Sequence, residues 1–344
     1  MKKYNKHLMT YIVLTAIAAA LPLGRDVYVQ HLLTLTLILA IYALSYNIIV
    51  GYMGLFSFGH QAFFGLGGYT IGLLSLGEAS AGRSALPLSL AWPVWATLPA
   101  SLLVCAIAGY VIGYVSLQMR GVYLGLVTLG FAMLIWMATI NERHFTGGVS
   151  GVRGIPPFEL TLPGLPTLEL SSPFSFYYFA LVLLVFTIYF ISRLTKSRFG
   201  RALVALRENE ERASALGVDA FKYYLMAFTI AATLAGLAGF AYSYYLRYIT
   251  PTALGITFLW SAVIMVIIGG TGTLLGPVIG AFIFVFVPEV FRIAEELRLL
   301  LFGAALVVVI IFLPQGIYPS LVSLWDRFIL RRQERKGIEG EISK

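Results

Sequence analysis

The chain has 344 residues, of which 59% are hydrophobic and only 12% are charged. A soluble domain usually carries about 25% charged residues, so this composition excludes an ordinary soluble protein and indicates an integral membrane protein. We predict no nucleic-acid partner despite the formal net charge of +8, because the basic residues flank apolar segments and mark membrane topology. The one cysteine, Cys105, lies inside an apolar run, which excludes an intrachain disulfide.

Apolar segments of spanning length follow one another along the chain. About 20 mostly apolar residues cross the hydrocarbon core of a bilayer, so we predict an all-α, polytopic membrane helix bundle of about eight to ten transmembrane helices in contact with lipid. The eighth and ninth segments are short, and they either cross the membrane or form one broken hairpin. The predicted spans are 8–23, 31–50, 52–76, 93–115, 122–140, 174–192, 223–246, 257–269, 277–291 and 299–318.

The distribution of Lys and Arg orients these spans. Lys2, Lys3 and Lys6 place the N-terminus in the cytoplasm by the positive-inside rule, and an even number of spans then places the C-terminus there too. Most of the 24 Lys and Arg fall in the segments that this topology leaves inside. The predicted parts are a cytoplasmic N-terminus (1–7), an N-terminal transmembrane half (8–191), a cytoplasmic loop (192–222), a C-terminal transmembrane half (223–318) and a cytoplasmic tail (319–344).

The loop predicted over 141–173 lies on the outer side and is rich in Pro and Gly. A loop that only joins two helices rarely needs about 30 residues. We therefore predict that 141–173 is a docking surface for an external protein.

The loop 192–222 is the longest charge-rich run of the chain. We predict one short helix from Gly200 to Gly217, because Arg207 and Glu211 stand four residues apart, as do Glu208 and Arg212, and can pair on one face. Glycine tolerates the left-handed turn that closes a helix, so the helix is expected to stop at Gly217. Such a loop is either a solvated connector or a docking element for a soluble partner, and we favour the docking element.

Two glycine-rich segments interrupt the apolar pattern. The first, Gly51–Gly72, contains too many glycines for a plain lipid-facing helix, so we predict a broken helix at the centre of the bundle. Small residues also let membrane helices approach closely, and the spacings Gly68/Gly72 and Gly109/Gly113 suit such contacts. The second segment, 269–280, echoes the first, with Pro277 starting the next helix.

His60 is the one histidine in the interior of a predicted span, since His31 is the first residue of the span 31–50. An ionisable group at that depth is costly enough to suggest a function. The alternative is a structural role in which His60 hydrogen-bonds a neighbouring helix, with Ser57 or Gln61 as its partner. The candidate residues of a translocation pathway are Asn47, Gly54, Ser57, Gly59, His60 and Gln61.

The chemistry that the sequence lacks also constrains its function. It contains no phosphate-binding loop of the G-x-x-x-x-G-K-[ST] type, no HExxH and no Cys/His cluster with zinc spacing. No predicted span core carries a pair of acidic residues that would relay protons or sodium. A membrane pathway beside a docking loop, without coupling groups of its own, indicates that the energy source lies on another subunit.

Five blocks of residues in a fixed order carry a family resemblance over positions 51–316. They are Gly51-Tyr52, Gly54, Ser57-Phe58-Gly59-His60, Ala62-Phe63 and Gly65-x-Gly67-x-Tyr69; Thr146-Gly147-Gly148 with Ser150-Gly151; Gly200-Arg201-Ala202 with Arg207-Glu208-Asn209-Glu210 and Ala215-Leu216-Gly217; Gly269-Gly270-x-Gly272-x-x-x-Gly276-Pro277; and Phe312-Leu313-Pro314-x-Gly316. With these blocks the chain resembles the LivM-type permease subunits of ATP-binding-cassette importers for branched-chain amino acids.

The resemblance implies a subunit of the bacterial or archaeal cytoplasmic (inner) membrane that is not itself an enzyme. Its implied partners are a second, LivH-like permease, two cytoplasmic ATPase subunits of the LivG and LivF type, and a substrate-binding protein. This chain would bind no cofactor, since ATP and Mg²⁺ would be held by the ATPases. The implied ATPase-docking residues are Gly200, Arg201, Arg207, Glu208, Asn209, Glu210, Ala213 and Gly217.

The chain departs from the family pattern at three positions. Arg212 and Ser214 stand around Ala213 where the docking signature of such permeases has a plain Ala pair, and Ser150 stands where the family often has an acidic residue. Urea or short amides are alternative substrates of similar importers. A stand-alone channel or secondary transporter is a further alternative, while a membrane enzyme or scaffold would need a polar catalytic cluster that the sequence does not show.

Overall fold

A computed structural model describes residues 18–76, 91–160, 168–170, 172–291, 303–304, 307–308 and 311–323. The predicted span 299–318 lies partly outside these residues. The predicted span 8–23, the N-terminus and the cytoplasmic tail lie wholly or mostly outside them.

The described chain is a bundle of α-helices, which confirms the predicted fold class. Helix α1 (Val27–Asn47) continues as a π-helical segment (Ile48–Met53). The helices that follow are α2 (His60–Ser75), α3 (Val94–Ser116), α4 (Val122–Asn141), α5 (Arg143–Thr146), α6 (Pro173–Lys196), α7 (Arg198–Glu208), α8 (Glu210–Ala215), α9 (Ala220–Leu246), α10 (Ile256–Gly269) and α11 (Gly276–Val290).

Five of the described helices are long and apolar enough to cross a membrane. They are Val27–Met53, Val94–Ser116, Val122–Asn141, Pro173–Lys196 and Ala220–Leu246. The apolar helices α10 and α11 are shorter, with 14 and 15 residues. They correspond to the eighth and ninth predicted spans, which are short as well. Both of the alternatives for them, crossing or a broken hairpin, stay predictions.

The predicted span 52–76 is not one continuous helix. Helix α2 begins only at His60, and a non-helical stretch that starts with Gly54 at φ +72° separates it from the π-helical end of α1. An L side chain rarely adopts this left-handed conformation, so glycine suits the turn. The break falls inside the glycine-rich segment, where a broken helix is predicted, and most of Gly51–Gly72 is buried in the bundle.

Helix α9 lies at the centre and packs against α1, α2 and α3. Its contacts use small residues: a Cβ atom on Gly239 would overlap the backbone carbonyl of Phe64, and one on Gly109 of α3 would overlap Ala232. Gly68 likewise faces Ser243 of α9, whereas Gly72 faces Val152 and Ile249, which pair with each other in a short antiparallel ladder. Close approach of backbones therefore sets the spacing of this core.

Helices α3, α4 and α6 form the periphery. Each exposes large apolar side chains, among them Leu103, Leu126 and Val182. On a soluble monomer such a surface would be a liability, whereas on a membrane protein it faces lipid or another subunit.

Short strands order part of the loop 141–173, which is predicted to lie outside. β1 (Val152–Arg153) pairs antiparallel with β4 (Tyr248–Ile249), and β2 (Glu159–Leu160) pairs with β3 (Leu168–Glu169). A 3₁₀ turn at Pro251–Leu254 follows β4. The loop 141–173 is thus tied to the end of α9, while its role in docking an external protein stays a prediction.

Candidate functional site

The charged loop between α6 and α9 contains two helices, so the prediction of a single helix from Gly200 to Gly217 is wrong. Asn209 interrupts it with an extended backbone (φ −159°), and its Oδ1 accepts a hydrogen bond of 2.8 Å from the backbone N–H of Arg212. Asparagine is a strong N-cap because its side chain satisfies a free N–H of the first helical turn. The break also explains why neither predicted ion pair forms: the described loop pairs Glu210 with Arg120 instead, at 3.4 Å.

The predicted end of this segment is confirmed. Gly217 has φ +87°, and the backbone N–H of Val218 donates 3.2 Å to the carbonyl of Ala213. This pattern closes a helix through a left-handed residue and satisfies one of its last carbonyls.

The loop rests on the bundle with one face and leaves the other open. Gly200, Leu203, Leu206 and Ala213 are buried. Leu216 is 86% exposed, which is unusual for a large apolar side chain next to charged neighbours. Of the predicted docking residues, Arg201, Arg207, Glu208 and Gly217 are exposed, Asn209 and Glu210 are half-buried, and Gly200 and Ala213 face inward.

Arg207 is the predicted docking residue that also reaches into the bundle. Its guanidinium Nη1 donates a hydrogen bond to the backbone carbonyl of Gly51, at the π-helical end of α1. The side chain lies over Gly54, where a Cβ atom would overlap it, and Nη1 lies 3.1 Å from the position that a Cβ on Gly272 would take. A side chain of the charged loop therefore contacts both glycine-rich segments.

Asn47, the last residue of α1, also contacts the second glycine-rich segment. Its Nδ2 donates 2.8 Å to the carbonyl of Thr273, and its Oδ1 accepts 2.9 Å from the backbone N–H of Gly272. Thr273 in turn fixes its own segment, since its hydroxyl donates to the carbonyl of Gly270 and accepts from the N–H of Gly276 at the start of α11. Both polar atoms of the Asn47 amide thus form hydrogen bonds with residues about 225 positions away in the sequence.

We call the group Asn47, Gly51, Arg207, Gly272 and Thr273 the inner junction. There the charged loop, the end of α1 and the turn between α10 and α11 meet. Gly51 has no room for a side chain, because a Cβ there would overlap the Asn47 amide and the backbone of Gly272. Arg207 therefore contacts the end of α1 and the turn between α10 and α11 at the same place.

The other predicted pathway residues lie deeper in the bundle. Ser57, Gly59, His60 and Gln61 are all buried, whereas Gly54 is exposed beside Arg207. Gly59 packs against the backbone carbonyl of Thr128 on α4, whose hydroxyl accepts 3.0 Å from the N–H of Phe58. No sequence pattern points to Thr128, Ser45 or Thr273, since each contacts a residue on another element.

His60 hydrogen-bonds a neighbouring helix, but not through the predicted partners. Its Nε2 lies 2.8 Å from the hydroxyl of Ser45 on α1, and its ring packs between Tyr42 and Tyr46 with centroid distances of 5.6 and 5.3 Å. The Ser57 hydroxyl instead accepts a hydrogen bond from the N–H of Gly59 at 3.4 Å. In the described part of the chain, no group of three or more His, Cys, Asp or Glu side chains could hold a metal ion.

Replacing His60 by alanine is expected to lower membrane abundance and transport in parallel. The change removes a fully buried ring from an aromatic cluster and leaves the Ser45 hydroxyl without this partner, a loss of about 2–4 kcal/mol in the free energy of unfolding. Immunoblots of membranes and uptake rates per milligram of protein measure the two effects. His144→Ala, at an exposed position, is the control, and a fall in uptake at wild-type abundance would contradict the packing role.

The fold and the inner junction define a multi-pass α-helical membrane protein whose charged loop is tied to broken membrane helices. A family model described as "Branched-chain amino acid transport system / permease component" matches residues 28–310. The chain belongs to this family, whose members are transport permeases.

Two curated relatives support the assignment. Both are described as the high-affinity branched-chain amino acid transport system permease protein LivM. The protein of Escherichia coli (strain K12) is 31% identical and that of Salmonella typhimurium is 32% identical, each over 91% of this chain and 75% of the relative. No solved structure gives a significant match to the chain.

Proposed function

We propose that the chain is the membrane-spanning permease subunit of an ATP-driven importer for branched-chain aliphatic amino acids. The relatives named for branched-chain amino acid transport support the substrate class. The lack of any phosphate-binding loop in the sequence supports a separate ATPase. Urea and short amides stay alternative substrates, because selectivity can reside in a separate binding protein.

The inner junction is the observation that carries the proposal. In the proposed mechanism, ATPase subunits bind the exposed face of α7 and α8, including Glu208 and Leu216. Closure of the ATPases moves this loop, and Arg207 passes the movement to Gly51 and Gly272. The two breaks then switch the bundle between outward-open and inward-open states, the alternating access of a two-state transporter.

The proposed assembly contains this chain, a related second permease, two cytoplasmic ATPases that hold ATP and Mg²⁺, and an external substrate-binding protein. It lies in the cytoplasmic membrane of a prokaryote with both termini of this chain inside. The outer loop, ordered by the β1–β4 and β2–β3 pairs, offers a surface for the binding protein. Each partner is a separate polypeptide, so it can be omitted in a reconstitution.

The energy source distinguishes this proposal from a secondary transporter. Leucine uptake by cells that express the full importer is expected to survive a protonophore and to stop when cellular ATP is depleted. The reverse pattern would identify an ion-coupled secondary transporter and would contradict the proposal. A strain without this chain provides the background rate.

A further inference from the structure

Gln61 is a fully buried side chain whose polar atoms have no partner. Its relative exposure is 0%, and neither Oε1 nor Nε2 has a hydrogen-bond partner among the described residues. Burying an amide in this way is costly, and buried polar groups in native proteins are nearly always satisfied. A side chain of this kind is retained either for packing or because it meets a ligand in another state.

The position of Gln61 on α2 decides where it points. Gln61, Gly65, Gly68 and Gly72 follow one another at spacings of four and three residues, so they lie on one face of the helix. We call this stripe the glycine face. Its other three residues are glycines. The face therefore has no side chains between Gln61 and the end of the stripe.

The segment Tyr248–Leu254, which we call the outer plug, covers this face. Leu254 packs against Gly65, and Ile249 packs against Gly68 and Gly72. Both plug side chains are buried, with relative exposures of at most 1%. The glycine face is therefore covered by these two aliphatic side chains together with Val152 at Gly72 and Ser243 of α9 at Gly68.

A second unpartnered polar atom faces this stripe from the neighbouring helix α9. The hydroxyl of Ser243, on α9, is buried without a hydrogen-bond partner among the described residues, and it is the atom that a Cβ on Gly68 would meet. The glycine face thus has two unsatisfied polar groups along its length, the Gln61 amide at one end and the Ser243 hydroxyl beside Gly68.

We propose that the glycine face of α2 is a solute path, closed here by the outer plug, and that Gln61 and Ser243 are its polar contacts. The inference rests on the proposed transport function and deepens it. The amide of Gln61 offers a donor and an acceptor, and no acidic or basic side chain lies among the residues named as forming or covering the face. Such a path suits a solute without net charge, such as the zwitterion of an aliphatic amino acid.

Cysteine accessibility in the assembled importer tests the path directly. Gln61→Cys is expected to react with a small, water-soluble methanethiosulfonate reagent at least about tenfold faster in one nucleotide state than in the other. The buried native Cys105 and a Ser101→Cys variant are the controls, since Ser101 is buried and donates to the carbonyl of Gly67 away from this face. Both are expected to stay unmodified.

A cysteine at position 61 that is as unreactive as both controls with and without nucleotide would overturn the proposal. The readout does not depend on the energy source. If the protein were an ion-coupled transporter, Gln61→Cys would still react although nucleotide had no effect, which separates failure of the path from failure of the proposed importer function.

Gln61→Leu gives a second, independent measurement. Since it replaces unsatisfied polar atoms by an apolar side chain, it is expected to keep wild-type membrane abundance and to lower leucine uptake about tenfold or more. Wild-type uptake by this variant would overturn the proposal. Ser243→Ala is expected to act in the same direction with a smaller loss, because it removes one hydroxyl.

Discussion

Replacing Arg207 by alanine is expected to reduce leucine uptake by the assembled importer at least about tenfold, while ATP hydrolysis by the partner subunits continues. The guanidinium contacts the carbonyl of Gly51 and lies against Gly272, so alanine removes the link between the loop and both breaks. Hydrogen bonds to charged groups contribute about 1.5–3 kcal/mol, which corresponds to a tenfold to hundredfold change in a coupling equilibrium. Uptake and phosphate release are measured in the same proteoliposomes.

Arg198→Ala is the matched control for this variant. Arg198 is an exposed arginine of the same helix that is not among the implied docking residues. It is expected to keep most of the uptake. Loss of the ATPase subunits from purified Arg207→Ala complexes would instead assign Arg207 to docking, and unchanged uptake would contradict any role in coupling.

Gly239→Leu is expected to cause a large loss of stability. A Cβ at this position would overlap the carbonyl of Phe64 and would lie 3.1 Å from the N of Gly68. Backbone cannot yield as a flexible side chain does, so α9 and α2 would have to separate. We expect a loss of about 3 kcal/mol in the free energy of unfolding, seen as low membrane abundance and a lower midpoint of thermal unfolding in detergent.

Gly130→Leu provides the comparison for this substitution. Gly130 lies in α4, is exposed, and has no heavy atom within 4 Å of the position of an added Cβ. This variant makes the same replacement of glycine by leucine. It is expected to leave membrane abundance and the midpoint of thermal unfolding unchanged. Equal behaviour of the two variants would refute the close-packed interface between α2 and α9.

The fold class and most helix positions could be predicted from the sequence, because spanning length and apolar composition are local properties. The predicted spans 93–115, 122–140 and 223–246 each fall on one described helix of closely similar bounds. The glycine pattern also predicts the break before His60. It could not locate the start of α2, since a broken helix needs tertiary contacts to fix its ends.

The charged loop between α6 and α9 contains two local sequence signals that conflict. The four-residue spacing of Arg207 and Glu211 favours one continuous helix, whereas Asn209 followed by two glutamates is typical of a helix start. In the structure the N-cap at Asn209 prevails, because an exposed ion pair contributes only about 0.3–0.5 kcal/mol and a good cap about 1 kcal/mol. Giving more weight to the cap would have placed the break correctly.

The inner junction was less accessible to sequence reasoning. Its glycines and Asn47 appear among the predicted residues, but their pairing with Arg207 and Thr273 joins positions more than 150 residues apart. The partner of His60 was missed for a related reason. Ser57 and Gln61 are its neighbours in sequence, while Ser45 on the adjacent helix supplies the hydrogen bond.

The most direct test of the proposed function is leucine accumulation by the purified chain in proteoliposomes, with and without its ATPase and permease partners. We expect no accumulation against a gradient by the chain alone, and accumulation by the full assembly only when ATP and the binding protein are supplied. Concentrative uptake by the isolated chain would contradict an energy source that acts from another subunit through Arg207.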